Sequence, residues 1–248
     1  MEGPLNAARI VFLDALLAFL PLAPATADTR PPVELELVIA IDLSASVNDA
    51  EYELQRAGSA EAFRDPDVID AIVSHPAGIA VIAVQWASAK YQRVAIPWTV
   101  LRTEQAIVDY ADAVAAMPRK LPGGGTSITG GLRFSGEMFA DSPVQGRRRV
   151  IDIAANGRAD MFEDMRKVRK RLLDADIVIN ALAIEEDTND LTRYFREFVI
   201  GGERSFVQTA WSFEDFREAM RAKLLREIGS PHYGALDAPA DGPDDIGG

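Results

Sequence analysis

The sequence contains no cysteine, and that absence removes several chemistries at once. A disulfide framework, thiolate metal sites and cysteine nucleophiles are all excluded. Histidine is nearly as scarce, with only His75 and His232, so a histidine-rich transition-metal site is not expected. Positive charge is also in deficit: 26 Lys and Arg stand against 38 Asp and Glu, for a formal net charge of -12. That balance argues against nucleic acid or an anionic membrane surface as a partner. The apolar run from Ile10 to Leu22 is too short to span a membrane. What remains is an apolar fraction of 48%, enough for a globular domain with a sizeable core.

The same short apolar run is followed by Pro-Ala-Thr-Ala, with Ala25-x-Ala27 just before Asp28. An apolar core followed by a small-residue cleavage pattern is the layout of a secretory signal peptide. The alternative is an N-terminal helix packed on the domain. The first reading makes residues 1–27 a signal peptide cleaved after Ala27, residues 28–32 a short linker, and the mature protein periplasmic or secreted. Without cysteine there is no lipid anchor at that junction. Residues 229–248 are rich in Gly, Pro, Ala and Asp and read as a disordered acidic tail. Residues 33–228 are one domain's worth of chain.

Within that domain strands alternate with helices. Glu34–Ile41, Gly78–Trp86, Tyr91–Pro97, Arg149–Ala154, Asp176–Ile184 and Ser205–Gln208 read as strands. Asn48–Phe63, Thr103–Met117, Ser127–Ala140, Asp160–Asp174, Leu191–Val199 and Ser212–Ile228 read as helices. Alternation of this kind predicts an α/β fold with a doubly wound, mostly parallel sheet of six strands and helices on both faces. The short Ala87–Lys90 connection predicts a hairpin and hence one antiparallel edge strand.

The most informative segment runs from Leu37 to Ser46. A continuous apolar run, suited to a strand buried on both faces, stops at Asp42 and is followed by Ser44 and Ser46. One carboxylate and two hydroxyls within five residues are hard oxygen donors of the kind Mg²⁺ takes alongside waters. Ligands gather at the carboxyl ends of strands in open α/β sheets. The competing reading is a turn and helix cap leading into Asn48. A second polar loop, Pro122-Gly123-Gly124-Gly125-Thr126-Ser127, lies between two predicted helices, with Thr126 placed to cap the second or to face a ligand. It lacks a Gly-Lys-Ser/Thr ending and follows no strand, so it does not read as a phosphate loop.

Taken together, Asp42-x-Ser44-x-Ser46, the glycine loop with Thr126, and a later strand ending in Ile153-Ala154-Ala155-Asn156-Gly157 resemble a von Willebrand factor type A (VWA) domain. More specifically, the chain is similar to a family of bacterial exported proteins of unassigned function built on that Rossmann-like fold. The supporting segments are Gln85-Trp86-Ala87, Val94 to Thr99, Arg149 to Ile153, Val199 to Gly202 and Lys223 to Ile228. The resemblance implies a metal-ion-dependent adhesion site holding Mg²⁺ or Mn²⁺ through Asp42, Ser44, Ser46, Thr126 and Asn156. It also implies a protein partner whose acidic side chain completes the coordination. Asn156 stands where the family motif has aspartate, and an amide brings no negative charge, so the implied site is weakened. Asp152 does not compensate, since four residues at about 3.3 Å each put it roughly 13 Å down the strand. It is expected to pair within or beside the sheet, with Arg147, Arg148 or Arg149.

Three functions follow as expectations. The first is an exported, non-enzymatic binding module that uses the metal. The second is a metal-free interaction protein that keeps the fold, for which Asn156 is the evidence. The third, a metal-dependent phosphohydrolase with Asp42 as nucleophile or ligand, lacks a second carboxylate and a nearby acid or base. Elsewhere, Glu185 to Asp187 read as a helix-capping acidic turn better than as a binding rim. Trp86 and Trp98 read as packing residues or partner anchors, His75 as a surface histidine, and Arg166 to Arg171 as a solvated basic face.

Overall fold

The computed structural model describes residues 29–122, 124–158, 164–186 and 189–229. The expected signal peptide, the first residue of the linker and all of the expected tail beyond Gly229 lie outside the described residues. Among the described residues no helix is long and apolar enough to cross a membrane.

Six strands form one sheet: β1 (Pro32–Asp42), β2 (Ile79–Trp86), β3 (Gln92–Leu101), β4 (Gln145–Ala155), β5 (Ile177–Ile184) and β6 (Val207–Ala210). Their spatial order is β3-β2-β1-β4-β5-β6, with β3 antiparallel to β2 and every other pair parallel. The helices are α1 (Asp49–Arg64), α2 (Pro66–Val73), α3 (Glu104–Ala115), α4 (Ile128–Glu137), α5 (Met165–Asp174), the single turn α6 (Leu191–Tyr194) and α7 (Phe216–Ile228). The expected α/β fold, mostly parallel with one antiparallel edge, is the one observed.

β1 shows why the apolar run had to be a central strand. Leu35, Leu37, Ile39 and Ile41 enter one core with Tyr52 and Phe63 of α1, Ile107 and Tyr110 of α3, and Phe216 and Leu224 of α7. Val38 and Ala40 enter the other with Ile128 and Leu132 of α4 and Val168 and Leu172 of α5. Alternate side chains thus serve opposite layers. The chain winds outward from β1 through β2 and β3, then returns past β1 to β4. Winding reverses between β1 and β4, where an open α/β sheet presents its ligand crevice. Ala40 pairs with Ile153, so Asp42 ends β1 level with the end of β4 and Asn156 follows directly.

Several boundaries differ from the sequence expectation. α2 was not foreseen, although Asp65-Pro66-Asp67 carries its signature: the Asp65 side chain caps the Asp67 N–H at 3.0 Å and proline takes the first turn. β3 continues through Pro97 to Leu101 because an edge strand tolerates a missing donor on its open side, and its pairing with β2 shifts register around Ala83. The charged helix begins at Met165 behind an Asp164 cap, residues 160–163 lying outside the described residues. The Leu191–Val199 helix is one α turn followed by a π turn from Phe195 to Val199. The last strand falls two residues later than read, at Val207–Ala210, and the closing helix starts at Phe216 rather than Ser212.

Candidate metal centre

Asp42, Ser44, Ser46 and Asn156 form one continuous chain of contacts. Asp42 is fully buried, and its Oδ1 accepts the Ser44 backbone N–H at 2.7 Å. The Ser44 and Ser46 hydroxyls are 3.0 Å apart. Ser46 donates its hydroxyl to Oδ1 of Asn156 at 2.8 Å, while Asn156 Nδ2 reaches the Ser46 carbonyl at 3.4 Å. The second Asp42 oxygen, Oδ2, is buried with no hydrogen-bond partner. Burial pushes the Asp42 carboxyl up to about 6, against the pull of the Ser44 N–H and hydroxyl, the Asn156 backbone and Arg119.

The turn after β1 does serve as a helix entry: Asn48 and Glu51 form a reciprocal capping box at α1. Because Asn48 does the capping, Ser44 and Ser46 are left to the cluster. The glycine loop closes the third side. Ala45 donates to the Gly124 carbonyl at 2.8 Å, and the Ser127 N–H donates to the Ala87 carbonyl at 2.9 Å. Thr126, half-buried, is held between these two contacts. The cap of α4 is Ser127, which accepts from the Gly130 N–H, and not Thr126. The loop approaches so closely at Gly124 that a Cβ there would sit 3.3 Å from the Ser88 Cβ.

Three residues position this loop, and of these only Gln85 stood out in the sequence, as part of a family segment and without a role. Arg119 donates to the Val47 carbonyl at 2.8 Å and the Asn48 carbonyl at 3.1 Å. Gln85, buried on β2, donates to the Tyr52 hydroxyl at 3.0 Å and to the Pro118 carbonyl at 2.9 Å. Tyr52 in turn donates to the Met117 carbonyl at 2.9 Å. A glutamine inside an otherwise apolar strand was the available signal. Trp211, 72% exposed, directly follows β6 at the same end of the sheet and was also missed.

The other candidates resolve into structural parts. Glu185 accepts from the Leu191 and Thr192 N–H groups at 3.0 and 2.7 Å and so caps α6; Asp187 lies outside the described residues. Trp86 is buried against Gly131, where a Cβ would meet its ring at 2.9 Å. Trp98 donates to the Met138 carbonyl. His75 is half-buried, its Nε2 3.0 Å from the Ile228 carbonyl. Asp152 pairs with Lys223 of α7 and not with an arginine of its own strand. Arg147 meets Glu34, Arg148 meets Glu227 and Arg149 meets the Ala175 carbonyl.

The donor set is all oxygen, which suits a hard divalent cation, and the orphaned Asp42 Oδ2 is an acceptor such an ion would satisfy. Among the described residues no group of three or more His, Asp or Glu exists that could hold a metal. Among the described residues of this cluster, Asp42 is the carboxylate.

A sheet of this order, with polar loops gathered over its β1/β4 switch, is that of a von Willebrand factor type A domain. Proximal thread matrix protein 1 from the mussel byssus, with a zinc-occupied MIDAS motif, matches with a TM-score of 0.62 at 16% identity, over 80% of this chain and 49% of that one. A von Willebrand factor type A structure from Catenulispora acidiphila matches with a TM-score of 0.58 at 19% identity, over 79% and 43%. The pilus adhesin SpaC from Lactobacillus rhamnosus GG gives 0.59 at 13% identity, over 79% and 31%. The chain spans half or less of each of these structures, and at such identities the likeness is one of fold. Comparison with curated proteins by sequence finds no match. A family model described as "Protein of unknown function (DUF1194)" matches residues 32–232, and the chain belongs to that family.

Proposed function

We propose that this protein is an exported, non-enzymatic protein-binding module whose affinity depends on a divalent cation, Mg²⁺ or Mn²⁺, at the β1/β4 switch. The observation that carries this reading is the buried, unpartnered Oδ2 of Asp42 beside two hydroxyls and an amide oxygen. Asp42, Ser44, Ser46, Thr126 and Asn156 would hold the ion directly or through water. When bound, the ion supplies a concentrated positive charge at the protein surface, where an acidic side chain of a partner can complete its coordination. With one carboxylate in place of two, the ion retains more of its charge, at the expense of affinity. Trp211 offers an exposed aromatic anchor at the same sheet end. Mussel matrix and bacterial pilus proteins among the structural neighbours support a role in adhesion outside the cytoplasm.

A melting experiment tests this. Millimolar Mg²⁺ or Mn²⁺ should raise Tm over that in chelator, as mass action on the folded state requires, and Asp42→Ala should remove the difference. Equal Tm with and without metal in the wild type would overturn it.

One observation favours the metal-free alternative: Ser46 and Asn156 satisfy each other. In that reading the pair replaces the ion and fixes the two loops, and partner binding ignores chelator.

A further inference from the structure

A second polar cluster lies inside the core that α7 covers, away from the metal centre. Lys223 on α7 is 1% exposed, and Asp152 on β4 is 2% exposed. The Lys223 Nζ contacts Oδ1 of Asp152 directly and sits 4.7 Å from the centre of the Phe206 ring. Glu227, one helical turn beyond Lys223 and 2% exposed, faces the same site. Its carboxylate is held by Asn180 of β5 and by Arg148 at 2.6 Å, and the Asn180 Oδ1 accepts the Phe206 N–H at 2.9 Å. Two acids, an amine and an aromatic wall are thus packed together with almost no access to water.

As an ion pair this arrangement is poorly served. An ammonium has three donors and a carboxylate two acceptor oxygens. Lys223 donates to one oxygen, and Asp152 Oδ2 is buried with no partner at all. An amide linking the two side chains has one N–H and one carbonyl, and the surplus groups disappear. We propose that Lys223 and Asp152 are the two ends of an intramolecular amide cross-link, formed by loss of one water with Glu227 as the proton carrier.

The chemistry balances without a co-reactant. A proton passes from the Lys223 ammonium to Oδ1 of Asp152, the oxygen it contacts, leaving a neutral amine beside a neutral acid. The nitrogen lone pair attacks Cγ of Asp152 and the nitrogen gives a second proton to the Glu227 carboxylate. The Cγ–O bond of the protonated oxygen breaks, the hydroxyl takes that proton from Glu227 and departs as water, and Glu227 is an anion again. Burial favours the neutral Asp152 this needs, and burial with the Asp152 charge brings Glu227 up to about 7, where its carboxylate can both take and return a proton. Fixed contact in a folded core supplies effective molarities on the order of 10⁵–10⁸ M, and exclusion of water opposes hydrolysis of the product. The link would tie α7, the last described helix, covalently to the centre of the sheet.

Mass spectrometry of the full chain, denatured, decides the matter without depending on the metal centre. The wild type is expected to be lighter than its sequence by one water. Its tryptic digest should contain residues 150–158 joined to residues 222–226, with no cleavage after Lys223. Lys223→Arg, which keeps the charge and cannot form this amide, should have its full sequence mass. Asp152→Asn, if it reacts, should lose ammonia instead of water, and Glu227→Gln should leave most of the chain unlinked. A wild type at full mass, cleaved normally after Lys223, would overturn the proposal.

Discussion

Ser46 donates its hydroxyl to the side-chain oxygen of Asn156 across 2.8 Å, joining the turn after β1 to the turn after β4. With aspartate at position 156 the same contact would add a second carboxylate beside that of Asp42. Asn156→Asp should therefore bind Mg²⁺ at least about tenfold more tightly, a difference of roughly 1.4 kcal/mol. Calorimetric titration of both proteins compares them directly, and equal affinities would mean that residue 156 does not face the ion.

Acid should weaken the cation and strengthen the apoprotein. Asp42 has its folded pKa raised from 3.8 to about 6, so the folded state holds a proton that the unfolded state releases between about pH 4 and 6. The stability from the protonated form is fully present below 4 and is lost as pH rises through 6. A shift of this size corresponds to roughly 3 kcal/mol. Chelated protein should thus lose stability from pH 4 to 6 through this group, and Asp42→Asn should flatten that part of the profile. Mg²⁺ affinity should follow the opposite trend, falling below pH 6 as the proton competes. Denaturant melts at several pH values, with and without metal, give both trends.

Arg119 holds the turn after β1 through two backbone carbonyls. Arg119→Ala should cost about 1–2 kcal/mol, seen as a fall in Tm of a few degrees for a domain of this size. Metal affinity should fall with it, because the Ser44–Ser46 turn then keeps only the Ala45 contact to the Gly124 carbonyl. An unchanged affinity in a folded variant would show that the turn holds its shape unaided.

Gly131 lies against the Trp86 ring, so closely that an added methyl would meet it at 2.9 Å. Gly131→Ala should destabilise by about 1–3 kcal/mol through overpacking, despite alanine's better helix propensity. Urea melts of the variant test this, and a gain in stability would contradict the packing.

Much of this was legible in the chain because local physics and tertiary context agree. The Leu37–Ile41 run demanded a strand buried on both faces, Thr103 marked the start of α3 by its cap, and Asp42-x-Ser44-x-Ser46 announced a polar strand end. The structure brings Asp42, Ser44, Ser46 and Asn156 into one bonded chain and sets Thr126 beside it through backbone contacts. What was not legible depends on distant partners. Nothing near Asp152 in sequence points to Lys223, and nothing near Arg119 points to the carbonyls of Val47 and Asn48. Trp211 is the most exposed large aromatic among the described residues at the strand end that carries Asp42, whereas Trp86 and Trp98 are claimed by Gly131 and the Met138 carbonyl. Propensity at the ends of α7 and β3 gave way to a turn and to an open sheet edge.

Everything proposed for the β1/β4 switch depends on Asp42 and its neighbours holding a divalent cation. Titration of Mg²⁺ and Mn²⁺ into chelator-treated wild type, followed by heat, tests it most directly. Saturable binding at one site, abolished in Asp42→Ala, is expected. No heat in the wild type, with binding restored in Asn156→Asp, would contradict it and leave a domain that keeps the adhesion fold without its ion.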